Sequence, residues 1–221
     1  IKIKITLKYN IKKISSENEV DDIYLNFIKF SSQKNIFCSK EILKYFFVNL
    51  DLYTICKNDR IKSFVYLYKD KNEIVSSEPF IYSGIINHPQ LDMKNSRYNN
   101  EVFKINELII NEIFSTYKNI NINLPINFLD TRPFLWFNYG QKKKKKFLVT
   151  PCYTSIINIK SKKPNDVFSE IDDVKRRDIK KVLKDKNYKV SDKINLQIIK
   201  KFYEDTMKKN KGSFDKYAFD K

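Results

Sequence analysis

One stretch restricts the fold of this chain more than any other. Between Leu129 and Ile159 the sequence reads LDTRPFLWFNYG, then QKKKKKFLV, then TPCYTSIINI. Asp130, Arg132, Asn138 and Tyr139 stand there among Phe134, Leu135, Phe137 and the lone tryptophan, Trp136. A segment that mixes charged and bulky apolar groups so closely cannot be fully solvated, so its polar groups must find partners inside the fold. A pocket wall has this composition, and so does a structural corner whose polar groups are satisfied internally. Residue types alone leave both readings open.

The chain is long enough for one large domain or for one domain and part of another. Its apolar and aromatic content supports a sizeable core and argues against global disorder. The formal charge of +17 points towards an anionic partner. Only five of the 43 basic residues are arginine, however, and heavy Ile and Asn usage accompanies the lysines. That bias is the signature of AT-rich coding, so lysine number alone says little. Arginine, which supplies the bidentate fork for phosphates, is the scarce and informative cation. The first residue is Ile1 rather than Met, and the sequence is read as a segment of a longer protein. Cys38, Cys56 and Cys152 are odd in number and widely spaced, which supports neither a disulfide framework nor a zinc site and points to a reducing compartment. No apolar run reaches the ~18 residues of a transmembrane helix, so a cytoplasmic location is expected.

Along the chain, Ile1 to Tyr9 alternates apolar residues with lysine at period two, the pattern of a strand, and Ile11–Ile14 continues it. Val20, Ile23, Tyr24, Phe27 and Ile28 recur at helical spacing, and Ser39 is placed to cap a second helix. Leu52–Cys56 and Ile61–Tyr68 read as strands joined by the turn residues KNDR. A third strand, Ile74–Ile86, is interrupted by Pro79 and Gly84, which predicts a bulge or kink. Asn87–Asn100 reads as a loop, and Val102, Ile105, Ile109, Ile113 and Tyr117 as the face of a long helix. Asn121–Phe128 and Cys152–Ile159 read as strands, with Lys142–Lys146 a solvated β-turn between strands. A helix from Asp166 or Ser169 to about Leu183 follows. The last helix, Ile194–Met207, is read with Ile198, Ile199, Phe202 and Tyr203 inward. This order predicts an α/β (α+β) domain with a mostly antiparallel sheet flanked by helices over 1–150, and the start of a second domain over 151–221.

Several chemistries find no motif. Three glycines can write neither a P-loop nor a dinucleotide fingerprint. The single histidine, His88, reads as a surface or loop residue, with no metal site around it. No nucleophile elbow or Cys–His pairing is present. In KRRDIKKVLK, Arg176, Arg177, Lys180 and Lys184 fall on successive turns and could meet phosphates, or could form a solvated basic face.

The order DTRPFLWFNYG, a short basic turn, PCYTSIINI, VKRRDIKKVLKDKNYKV and FYEDTMKKN resembles the FemAB-like proteins. These are GNAT-fold peptidoglycan-bridge aminoacyltransferases and their bacterial relatives. The resemblance spans roughly residues 37–210 and is strongest in the YT segment and the RR helix. It implies two GNAT-like domains in tandem, the second truncated here. It also implies acyl or aminoacyl transfer to an amine on a cell-envelope, glycan-linked or lipid-linked acceptor. The donor would be anionic, an aminoacyl-tRNA or an acyl-CoA, with no resident cofactor in this segment. Alignment of substrates and oxyanion stabilisation, rather than a covalent nucleophile, would carry such a reaction. Asp130, Arg132, Trp136, Asn138, Tyr139, Tyr153 and Thr154 are the expected acceptor wall, with Arg176 and Arg177 for an anionic group. The Gly-rich loop with which ordinary GNAT enzymes hold CoA pyrophosphate is missing from these residues. Two rivals remain: a non-catalytic GNAT-like module that binds RNA or another anionic polymer, and a peripheral protein that uses its basic face at a membrane surface.

Overall fold

The structure, a computed structural model, describes residues 9–70, 73–75, 80–89, 94–154, 156, 159–187, 193 and 195–210. It falls into two compact units, Ile1–Cys152 and Tyr153–Lys221. The first is mixed α/β, an antiparallel sheet with helices on both faces. Its order is β1 (Tyr9–Lys13), α1 (Glu17–Asn26), α2 (Lys40–Tyr45), β2 (Leu50–Lys57), β3 (Arg60–Asp70), β4 (Glu73–Ile74), β5 (Gly84–Asn87), α3 (Asn95–Glu112) and α4 (Arg132–Trp136). The alternating segment expected over Ile1–Tyr9 lies outside the described residues except for Tyr9, where β1 begins.

The β2–β3 hairpin organises this unit. Its two-residue loop, Asn58 and Asp59, takes left-handed backbone at both positions (φ 48° and 60°), the primed geometry that matches strand twist. β3 is central, paired with β2 on one side and with both β4 and β5 on the other. Alternate β3 residues feed two cores. Phe64 and Tyr66 pack with Val20, Ile23, Phe27 and Leu43 of the α1–α2 layer, while Val65 and Leu67 pack with Ile105 and Ile109 of α3 and with Ile113 just past its end. A strand buried on both faces needs a nearly continuous apolar run rather than alternation, and FVYLY supplies it.

The third strand is interrupted, as Gly84 predicts; Pro79 lies outside the described residues. β4 and β5 are two pieces on one edge of β3, at Lys69–Asp70 and Ser63–Tyr66 respectively. Gly84 opens β5 at φ +116°, a conformation that side chains rarely adopt. A Cβ there would lie 3.1 Å from Leu124 Cδ2 and 3.2 Å from Ile122 Cδ1. The glycine therefore lets the returning chain lie against the sheet. That chain, read as a strand over Asn121–Phe128, is not one. Ile120 makes an isolated parallel bridge to Ile74, and the Ser83 amide donates to the Asn123 carbonyl at 3.0 Å. A ladder cannot grow there because its partner edge is broken, and Pro125 lacks an amide donor.

Helix α3 starts at Asn95, inside the stretch read as loop. Asn and Ser compete with helical backbone locally, so the first turns carry little intrinsic signal. Contacts from outside the helix hold them instead: the Tyr98 hydroxyl donates to the His88 carbonyl at 2.9 Å, and Glu101 sits among lysines. The Lys142–Lys146 run is exposed and includes a turn, but no strands flank it.

The second unit contains α5 (Pro164–Glu170), α6 (Asp173–Lys184) and α7 (Leu196–Lys209), none with a buried residue. The single helix expected through Leu183 is two, because the Asp172 carboxylate accepts from the Val174 amide at 2.9 Å and starts a new helix. No strand forms at the described positions 152–154, 156 and 159. The apolar face of α7 is also not inward: Ile198, Ile199 and Phe202 are exposed. No helix of the described residues is long and apolar enough to cross a membrane.

Candidate functional site

The stretch after Leu129 forms a single helical turn, α4, with Pro133 in its first turn, where a missing amide costs nothing. The turn divides its aromatics between two sides. Phe134 points inward and packs edge-on against Phe128 and Phe147. Trp136 points outward, 56% exposed, with its ring 5.5 Å from Phe103 of α3. The indole thus stands outside the aromatic core.

Asp130 and Arg132 form a two-pronged ion pair, Nε to Oδ1 at 2.8 Å and Nη2 to Oδ2 at 2.7 Å. The Arg132 hydrogen bond holds the Asp130 carboxyl below its ordinary range, although burial works the other way. The guanidinium lies 5.3 Å over Phe103 and 5.8 Å over Trp136, so the pair braces both rings. Asn138 takes left-handed backbone (φ 54°) and donates from Nδ2 to the Lys145 carbonyl at 2.8 Å, folding the lysine turn back. Tyr139 is 79% exposed.

Between α3 and α4 lies a concavity of about 180 Å³, lined by Trp136, Asn138, Phe137, Asn111 and Glu107 among others. Glu107 is the one ionisable group in this lining, and sequence reading missed it because helical periodicity places it beside the core face without marking it. The residue is exposed as a whole, yet enough protein surrounds its carboxyl that desolvation raises its pKa above the usual 4.5, with Lys104 pulling weakly the other way. No donor reaches its oxygens among the described residues. The site therefore offers a solvent-reachable carboxylate in a concavity that an indole also lines, a combination suited to an ammonium or amine.

The remaining expected residues belong to the second unit. Tyr153 is 96% exposed and Thr154 is exposed, both outside any strand. Arg176 donates to the Ser169 carbonyl at 2.7 Å and pairs with Asp173, joining α5 to α6. Among the described residues Arg177 reaches the Asp173 carbonyl, at 3.4 Å. The structure gathers Asp130, Arg132, Trp136 and Asn138 on one side of α3, and gives Arg176 a local bracing contact.

His88 is not a surface histidine. It is buried at the end of β5, its Nδ1 3.0 Å from the Pro89 carbonyl and its Nε2 3.5 Å from Glu101 Oε2. Burial lowers its pKa, and Lys62 lowers it further. No metal-binding cluster occurs among the described residues, and all three cysteines are free. No family model matches the chain, and no curated protein does either.

Proposed function

We propose that this chain is a GNAT-like, FemAB-type acyltransferase that transfers an acyl or aminoacyl group to an amine on a cell-envelope, glycan-linked or lipid-linked acceptor. The amine sits in the concavity between α3 and α4, and the observation that carries the reading is that Glu107 and Trp136 line it together. The resemblance in RPFLWFNYG and the order strand, two helices, strand meander, long helix support the same reading. The donor is an acyl-CoA or an aminoacyl-tRNA, and the setting is cytoplasmic.

The proposed step needs little covalent help from the protein. The carboxylate of Glu107 and the ring of Trp136 attract the incoming ammonium, which gives one proton to water, and the resulting amine presents its lone pair to the donor carbonyl. As the new C–N bond forms, the nitrogen becomes far more acidic and Glu107 accepts its proton. The carbonyl then reforms, the C–O or C–S bond to the carrier breaks, and the carrier leaves with the electron pair.

Trp136 is the sole tryptophan, so its fluorescence reports acceptor binding directly. A lysine-containing peptide quenches it, and amide product accumulates when acetyl-CoA or an aminoacyl-tRNA is supplied. Glu107→Gln abolishes product while leaving the melting temperature unchanged. Because the carboxyl is raised above 4.5, activity falls as pH drops through a value above 4.5. Equal turnover by wild type and Glu107→Gln would dispose of the proposal.

A further inference from the structure

The first unit has a second and larger cleft, about 920 Å³, between the β2–β3 turn and the N-terminal half of α3. Lys57, Arg60 and Lys62 line it from the hairpin, and Arg97 and Lys104 from α3. Arg97, Glu101 and Lys104 stand three and four residues apart, so they share one helical face. None of the site residues expected from the sequence lines this cleft.

We infer that the cleft binds a ligand carrying two or more closely spaced phosphates. This inference does not rest on the acyl-transfer reading. Five cationic side chains surround the single carboxylate of Glu101. That carboxylate is 10% exposed and already committed: Lys57 Nζ lies at 2.9 Å, Lys62 Nζ at 3.6 Å, and the Tyr9 hydroxyl donates at 3.3 Å, with His88 behind it. Burial pushes its pKa up, but the two lysines outweigh burial and hold it below the ordinary value. Glu101 therefore positions Lys57 and Lys62 and cannot also neutralise the rim. Arg60, Arg97 and Lys104 make no ion pair among the described residues.

The argument for phosphate is the arginines. Lysine is spread throughout this chain, but arginine occurs five times, and two of the five face this cleft from opposite walls. Planar guanidinium forks match phosphate oxygens two at a time. Asn58, Ser96 and Asn100 add neutral polar groups to the same lining. A single phosphate would leave most of this charge unanswered, whereas the volume falls within the range of small-molecule sites. The phosphates can belong to a free polyphosphate or to a nucleic-acid backbone.

Calorimetric titration of the whole chain with inorganic tripolyphosphate, and separately with a short single-stranded RNA, distinguishes these sources. Tripolyphosphate binding supports a free polyphosphate, and binding of RNA alone supports a backbone. Arg60→Glu with Arg97→Glu weakens the binding by about tenfold or more, and lowers the log–log salt slope by about one per cation removed. The control Lys143→Glu with Lys144→Glu changes net charge equally outside the cleft and leaves affinity within about twofold of wild type. Should the double arginine variant melt early, Arg97→Gln alone is used, and a loss of about threefold or more with a slope lowered by about one is required. Three results overturn the inference: neither probe binds, both double variants weaken binding alike, or heparin binds as tightly as the phosphate probes.

Discussion

Gly84→Ala tests how the broken sheet edge seats the chain that leads into α4. Two costs combine at this position. The backbone sits at φ +116°, and holding alanine in such a conformation costs about 1–2 kcal/mol. The new Cβ would approach Leu124 and Ile122 to 3.1 and 3.2 Å, and overpacking of that kind adds about 1–2 kcal/mol. The expected loss is about 3 kcal/mol; with a urea m-value of about 2 kcal/mol/M, the midpoint falls by about 1.5 M. Gly140→Ala is the internal control, since its φ is +77° and nothing lies within 4 Å of its Cβ. It bears only the backbone cost, about 1 kcal/mol. Urea unfolding followed by circular dichroism reads both variants. Hydrogen exchange at the amides of Ser83 and Asn121, which donate to Asn123 and Ile74, reports whether the seat loosens. Equal losses in the two variants would refute the claim that Ile122 and Leu124 crowd the position.

Two further outcomes rest on ion pairs. Arg132→Ala removes an exposed ion pair worth about 1 kcal/mol or less, so thermal melting shifts little. Phe103 and Trp136 lose their brace, and the affinity for a lysine peptide measured by Trp136 fluorescence falls; a variant that simply unfolds would make Arg132 architectural. Asp51 is buried with Lys13 Nζ at 2.8 Å, Lys69 Nζ at 3.2 Å and the Tyr117 hydroxyl donating at 2.9 Å. Burial alone would raise its pKa, but these partners outweigh burial and hold it below 3.8. A depressed folded-state pKa gives stability that is present above the unfolded value and lost as pH falls through the folded one. Acid unfolding should therefore steepen below about pH 4, and Asp51→Asn should flatten that limb; an unchanged acid limb would remove Asp51 from the account.

Local signals made a good part of this fold legible. The β2–β3 hairpin was visible because turn residues separate two runs of strand formers, and the broken third strand because a glycine stood inside it. Ser39 marked the start of α2, where its hydroxyl accepts from the Ile42 amide at 3.4 Å. The misread strand over Asn121–Phe128 has a tertiary cause: its residues are strand formers, but a strand exists only where an unbroken partner edge is available. The early start of α3 was hidden for the converse reason, since Tyr98 and Glu101 hold it from outside the helix.

The chain's own pattern determined that Trp136, Arg132 and Asp130 would be neighbours, because they lie within one helical turn and its lead-in. It also fixed an amphipathic helix with Ile105 and Ile109 on its core face. Which side of α4 faced water was decided only when Phe134 found Phe128 and Phe147, leaving the indole outside. The same holds for Glu107 opposite Trp136, and for Arg60 across the cleft from Arg97. These pairs come from different elements, and packing α4 on α3 brings the first together as packing α3 on the sheet does the second; no periodicity within one segment encodes that meeting.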